Sequence, residues 1–263
     1  MDMVQPELNE GMPMKKGIYM RHYFLILSSL LAVSCSSKKD DLSRKNVDTL
    51  YNRASSQMKA GEYAEAAVDF KEIETLFPYS AKASFGQVLA AYCYFLTSNY
   101  QDAIRSLEIF LRYHPAHALV PYAMYLKAMC LYMQVSSIGR DAKAANEAKL
   151  AFVELVNKFP GSIYHKDCLK RILMLDDIVA AHEMSVGRFY QKNGNALSAI
   201  NRYNFVIRRL GHTKHCPEAY YRVMECCRSI GLTAEAAGAR ETLVHSFPKS
   251  EWGKKVLPDS KEK

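Results

Sequence analysis

The residues best equipped for chemistry lie in the second half of the chain. His182-Glu183-Met184-Ser185-Val186 opens as the helix of a zinc protease does, with an imidazole followed by a carboxylate suited to general-base work. Two metal-binding imidazoles on one helix face stand four residues apart. The fourth place here is Val186, so no second ligand shares the face. His212, His215 and Cys216 cluster after a turn and have the donor types of a metal site. Their spacing matches no established one, and a solvent-facing loop accounts for them. Carboxylates are scattered singly, and no strand pattern exists for a glycine-rich phosphate loop to follow. The sequence therefore assigns no catalytic residue, no metal ligand and no bound cofactor, and it reads as a protein that is not an enzyme.

Cys35 is the exception among the seven cysteines. Met14-Lys15-Lys16 and Met20-Arg21-His22 form a basic stretch, the apolar run Tyr23–Val33 follows, and Ala32-Val33-Ser34 leads into Cys35. This is the layout of a secretory leader, and its end resembles a bacterial lipobox, in which the cysteine thiol receives a diacylglyceryl group and the new N-terminus is acylated. Ala32 stands where that motif usually has Leu. Residues 1–13 are acidic and unlike a leader's basic start, so initiation at Met14 or Met20 is expected. Two or more acyl chains anchor a protein stably to a bilayer, and Ser36, where Asp commonly marks inner-membrane retention, favours the outer membrane. The expected divisions are a lipoprotein signal peptide over 1–34, a flexible tether over 35–45, a repeat array over 46–252 and a basic tail over 253–263.

Composition agrees with one packed body. Apolar residues make up 49% and charged residues 24% of 263, which supports a core and excludes a disordered chain. The run of 11 residues at Tyr23–Val33 is the longest apolar stretch, against about 20 for a crossing helix, so a polytopic membrane protein is excluded.

The elements behind these residues are repeats. Phe77-Pro78, His114-Pro115, Phe159-Pro160, Leu210-Gly211 and Phe247-Pro248 close five similar segments. Twelve residues before each Pro or Gly stands an alanine (Ala66, Ala103, Ala148, Ala199, Ala236). Four past it comes Phe70, Leu107, Phe152, Tyr203 or Arg240, and an apolar pair such as Phe110/Leu111 follows. Offsets of 0, 4, 7 and 8 share one helix face. A partner helix precedes each, with Gly86, Ala123, Cys168 or Ala219 eight residues past the stop and Cys93, Cys130, Leu175 or Cys226 fifteen past it. Breaks between the two helices fall at Gly61, Asn99, Gly194 and Gly231. The pattern resembles the tetratricopeptide repeat. It predicts an all-α chain, a right-handed superhelical solenoid of about five tetratricopeptide-like helix pairs with a concave groove lined by the first helix of each pair. Intervals of 37, 45, 51 and 37 between stops leave room for a polar insertion at Val135–Asp141. The same surplus makes Ile163–Asn193 one long helix or two abutting ones, with Ala181–His182 as the place for a kink.

Of Tyr92, Tyr94, Phe95, Tyr122, Tyr125 and Tyr132, some are expected in the core, the commoner fate, and the rest supply that groove with apolar area carrying polar tips. Cys93, Cys130 and Cys226 share one core offset and Cys168 fills a small-residue slot, too far apart on successive helices to bridge, while adjacent Cys226 and Cys227 point to different faces; the six cysteines beyond Cys35 read as buried free thiols. The formal charge of +8 lies wholly outside residues 1–34. Cations on Arg202, Arg208 and Arg209 and in the tail suit an anionic lipid surface or an acidic protein; nucleic acid is not expected as a partner.

The stretch from Glu183-Met-Ser-Val186 through Arg188, Tyr190 and Asn195 to Ala199-Ile-Asn201-Arg202-Tyr203 resembles the BamD family, lipoproteins of the outer-membrane β-barrel assembly machinery. Arg112-Tyr-His-Pro115-Ala-His117, Tyr122-Ala-Met124-Tyr125-Leu-Lys127, Arg140-Asp141, and Phe77-Pro78 with Gln87 and Tyr92-Cys-Tyr94 add to the likeness, which runs from residue 35 to about 250. Lys82-Ala83 replaces the family's usual Tyr-Ser, and the 135–141 insertion is shorter than in many members. The resemblance implies an outer-membrane, periplasm-facing scaffold of the assembly complex. Its C-terminal repeats would bind a BamA-like barrel through Glu183, Arg188, Tyr190, Asn201 and Arg202, the alternative for Arg202 being a structural ion pair with Glu183. Its N-terminal repeats would bind unfolded outer-membrane proteins through Phe77, Tyr79, Tyr92, Tyr94, Tyr122 and Tyr125. Other lipoproteins of the complex are further expected partners. A repeat lipoprotein of pilus or secretin assembly would share the anchor and the repeats but lack the Glu183–Tyr203 block. A periplasmic hydrolase would show metal- or thiol-dependent turnover.

Overall fold

The computed structural model describes residues 46–135 and 142–257. Cys35, the leader, the tether, most of the 135–141 insertion and the end of the tail lie outside the described residues. The chain divides into two units at Leu50/Tyr51, the first described only over residues 46–50. In the first, Asn46 starts a helix: its Oδ1 accepts the Asp48 amide at 3.1 Å, and its carbonyl accepts that of Leu50 at 3.1 Å.

The described residues form helices without strands: α1 (Val47–Ala60), α2 (Tyr63–Leu76), α3 (Ala81–Leu96), α4 (Tyr100–Tyr113), α5 (Val120–Met133), α6 (Ala142–Lys158), α7 (His165–Lys192), α8 (Ala196–Arg209), α9 (Cys216–Ser229), α10 (Thr233–Ser246) and α11 (Glu251–Val256). They make an all-α helical repeat solenoid of five pairs, each an odd-numbered A helix and an even-numbered B helix, closed by α11.

Two kinds of turn alternate. Between A and B helices a residue enters the left-handed region: Gly61, Gly194 and Gly231 at φ +85°, +75° and +80°, and Ser98 at φ 60°. The amide just beyond each reaches back five residues, as in Glu62 to the Gln57 carbonyl and Asn195 to the Tyr190 carbonyl, both 2.9 Å. That is the Schellman closure, which glycine allows without a Cβ clash. Between B and A helices the last residue leaves the helix at φ near −130° (Phe77, His114, Leu210, Phe247), a departure from helical backbone that a following proline favours at three of the four. Ser80 and Ser250 then cap the next helix by accepting the amides of Lys82 and Gly253.

Packing follows the repeat offsets. Ala66, Ala103, Ala148 and Ala199 and their partners Phe70, Leu107, Phe152 and Tyr203 are wholly buried. On the A helices Gly86, Ala123, Cys168 and Ala219 let the neighbouring helix approach closely. Arg240, which breaks the apolar rule in the last pair, donates from Nη2 to the Val256 carbonyl at 2.8 Å and so terminates α11. Trp252 of α11 lies 5.0 Å from the Tyr221 ring, with Arg222 and Lys255 over its faces at 5.2 and 4.0 Å. End repeats need such a cap because no further repeat covers them. α11 also crosses the 252/253 boundary that the sequence suggested for the tail.

The long segment is one helix. α7 has 28 residues and runs through Ala181–His182 without a break. Its midpoint carries a buried carboxylate, Asp176, which accepts from Lys149 Nζ of α6 at 2.5 Å and lies 3.0 Å from His212 Nε2 of the α8–α9 turn.

The six cysteines beyond Cys35 are buried free thiols. Burial pushes the thiols of Cys93, Cys168 and Cys226 up to about 11 and that of Cys130 up to about 12.

Two outcomes are expected. A Cβ on Gly187 would stand 2.8 Å from Cδ1 and Cζ of the buried Tyr203 ring. Gly187→Ala should therefore lower unfolding free energy by about 1–3 kcal/mol, read by chemical denaturation. The thiols are neutral when protonated and their folded values are raised. Their contribution is whole below the ordinary thiol value and is lost as pH rises through it towards 11–12. Stability should decline over that alkaline range, and less steeply in Cys130→Ala.

Candidate protein-interaction surfaces

The A helices bring part of the tyrosine set together. Tyr125 of α5 stacks on Tyr164, just before α7, at 4.6 Å and 17°, and Tyr122 lies 6.0 Å from the same ring. The Tyr125 hydroxyl donates to Asp167 Oδ2 at 2.8 Å, and Arg171 Nε donates to that same oxygen at 2.6 Å. Arg171 also covers the Tyr132 ring at 5.0 Å. Burial, then the neighbouring Tyr92, Tyr164, Cys130 and Tyr125, push the Tyr122 hydroxyl up to about 12. Burial alone would raise the Asp167 carboxyl, but the hydrogen bonds from Arg171 and Tyr125 outweigh it and hold the group below its ordinary value. The result is a half-buried aromatic surface with one fixed ion pair, able to cover apolar side chains and to bind backbone groups through tyrosine tips.

The other members of the set lie elsewhere. Tyr94, two residues from Tyr92, points to another side of α3 and lines a small pocket with Lys71, Glu74, Asp102 and Arg105. Phe77 and Tyr79 belong to the α2–α3 turn, where Tyr79 is fully exposed. Tyr164, Asp167 and Arg171 were not singled out from the sequence. The i,i+4 spacing of Asp167 and Arg171 is the signal that marks their pairing.

A second surface lies between α7 and α8. Glu183 and Tyr190 of α7 meet Ser198, Asn201, Arg202 and Phe205 of α8 around an open pocket of about 330 Å³. Asn195 caps α8 by accepting the Ser198 amide at 3.2 Å, which sets the helix's rotation. Arg202 Nη1 donates to Glu183 Oε2 at 3.2 Å. Phe205 and Leu197 are exposed beside it, two residues the sequence reading passed over although they continue the row through Asn201 at four-residue spacing. Glu183 and Tyr190, seven apart, share a face. Arg188 stands about 140° round the helix from Glu183 and pairs with Glu218 of α9 at 3.0 Å, within a network that includes Arg222 and Glu225. The structure thus unites four of the five residues and gives Arg188 an internal partner.

His212, His215 and Cys216 do not converge. His212 serves Asp176, Cys216 is buried, and burial pushes the half-buried His215 imidazole below its ordinary value. Among the described residues no group of three or more His, Cys, Asp or Glu is arranged to hold a metal ion. No helix among them is long and apolar enough to cross a membrane.

A family model, YfiO, described as "Outer membrane lipoprotein", matches residues 43–243. The outer membrane protein assembly factor BamD of Caulobacter vibrioides is 33% identical over 230 residues, covering 87% of this chain and 75% of that one. Its counterpart from Rickettsia prowazekii is 34% identical over 234 residues, covering 86% of this chain and 93% of that one. Among solved structures, a tetratricopeptide-repeat protein from Bacteroides fragilis is 16% identical, with a TM-score of 0.45 over 80% of this chain and 96% of that one.

Because the folded Asp167 carboxyl is depressed, its contribution is present above the ordinary carboxylate value and is lost as pH falls through the depressed one. Thermal melts on the acid side should show the midpoint dropping in the native protein, and a flatter profile in Asp167→Asn.

Proposed function

The chain belongs to the YfiO family of outer membrane lipoproteins, and on that premise we propose that it is a non-catalytic scaffold of the β-barrel assembly machinery. In this reading acyl chains on Cys35 hold it to the periplasmic face of the outer membrane. Unfolded outer-membrane proteins meet the tyrosines of the A-helix surface, with Tyr92, Tyr122 and Tyr125 at its centre. A BamA-like barrel protein docks on the α7–α8 pocket, and other lipoproteins of the complex join them.

The observation that carries the proposal is the convergence of Glu183, Tyr190, Asn201 and Arg202 on one open pocket beside exposed Phe205. These four come from the stretch most like the family, and they offer an anchor of the kind interfaces use, aromatic rings with an arginine at the centre. The Glu183–Arg202 pair gives a competing structural role, holding α8 on α7. Two substitutions separate the roles. If the arginine reaches a partner, Arg202→Leu removes that contact, whereas Glu183→Gln leaves the guanidinium free to make it.

The test is detergent solubilisation, capture through a C-terminal tag and mass spectrometry of the barrel that accompanies the protein. Arg202→Leu is expected to reduce the co-purified barrel by about tenfold or more, the scale of a truncated interface arginine, with a native circular-dichroism spectrum. Glu183→Gln should reduce it less. Unchanged recovery in Arg202→Leu would refute the docking role. A secretin in place of the assembly barrel would favour a role in pilus or secretin assembly. The same spectra read the acyl groups on Cys35.

A further inference from the structure

α7 is longer than any one B helix can cover. Its C-terminal part receives α8: Tyr203 packs on Gly187, the Tyr203 hydroxyl donates to Gln191 Oε1 at 2.9 Å, and Arg202 bonds Glu183. The α8–α9 turn then crosses α7 at its middle, where His212 meets Asp176 and Lys214 lies 3.6 Å from Asp177. α8 therefore reaches no farther towards the start of α7.

Eighteen residues make five complete helical turns. Leu169 and Leu173 precede Gly187 and Gln191 by that interval, so they point to the same side of α7 as the residues on which α8 packs. They are 44% and 55% exposed, and Met174 beside them is 45% exposed. The stripe that seats α8 thus continues towards the N-terminus as a leucine row that, among the described residues, has no helix over it. From Lys166 to the crossing turn at Asp176 it runs about 15 Å. Lys166 and Lys170 are exposed along it, and among the described residues neither holds an ion pair.

We propose that this stretch of α7 is the seat of one acidic amphipathic helix, two to three turns long, supplied by a partner protein and lying where a B helix would stack. The shape comes from the repeat: the row is narrow, in register with the α8 contact, and stopped at one end by a turn. These are the dimensions of a helix and not of a bilayer surface. The sign comes from the two lysines, which suit carboxylates on the helix's flanks. The seat is separate from the α7–α8 pocket and does not depend on what docks there.

The probe is a fluorescent synthetic peptide of about twelve residues, with leucines on one face and glutamates on the other, titrated by anisotropy against the detergent-purified full chain. Saturable binding is expected, weakened at least about tenfold by Leu173→Asp, since each buried leucine contributes roughly 1.5–3 kcal/mol. The double variant Lys166→Glu with Lys170→Glu should prefer the same peptide carrying lysine for glutamate. All these positions are exposed, and circular dichroism should show native helicity throughout. Absence of saturable binding, or binding indifferent to Leu173→Asp, overturns the proposal. So does an unacylated Cys35→Ala chain that ignores the peptide yet sediments with phosphatidylglycerol vesicles through Leu173, which would assign the row to a membrane surface.

Discussion

Asp176 is the charge about which the array is arranged. A carboxylate this deeply buried is costly unless it is paired and hydrogen-bonded, and its two partners come from opposite directions along the chain. Lys149 arrives from α6, in the third pair, and His212 from the turn that closes the fourth. The groups must meet for the charge to be tolerated, and their meeting fixes where α6 lies against α7 and where the α8–α9 turn crosses it. The α7–α8 pocket and the bare row at the start of α7 both follow from that placement. Removing the carboxylate's partners one at a time would leave a buried charge, whereas replacing the whole set by apolar residues would not.

Much of the architecture is legible in the sequence because a packed helix advertises its buried face. Alanine, then a large apolar residue four places on, then an apolar pair, is a statement about one side of a cylinder, and the buried positions Ala148, Phe152 and Leu155 obey it. Small residues at Ala123 and Cys168 mark close approach for the same reason. The left-handed glycines announce the A–B turns, and Ser98 shows that the turn persists where glycine is absent. The continuity of α7 is legible too, since its segment holds neither proline nor a second glycine beside Gly187.

What the sequence does not reveal is phase between helices. Tyr92 and Tyr94 belong to one aromatic run, yet two residues of helix turn them to different neighbours. Arg188 sits inside the most family-like stretch, but five residues of rotation take it from Glu183 to Glu218. Asp167 and Arg171 enter the tyrosine cluster from the next repeat, a proximity no local pattern encodes. The surplus length of the third and fourth units is visible as intervals of 45 and 51 residues, but where α8 docks along the long helix depends on the buried charge at its centre.

The close fit of Gly187 against Tyr203 has a consequence for how such a chain can diverge. Tyr203 is wholly buried and tied by its hydroxyl to Gln191, so its ring has no alternative place. A lineage in which 187 acquires a side chain must first lose the ring at 203, and a lineage that keeps the ring is held to glycine. The constraint runs one way: 203 can change while 187 stays glycine, but not the reverse without cost, so a side chain at 187 should be rare among related sequences that keep the ring.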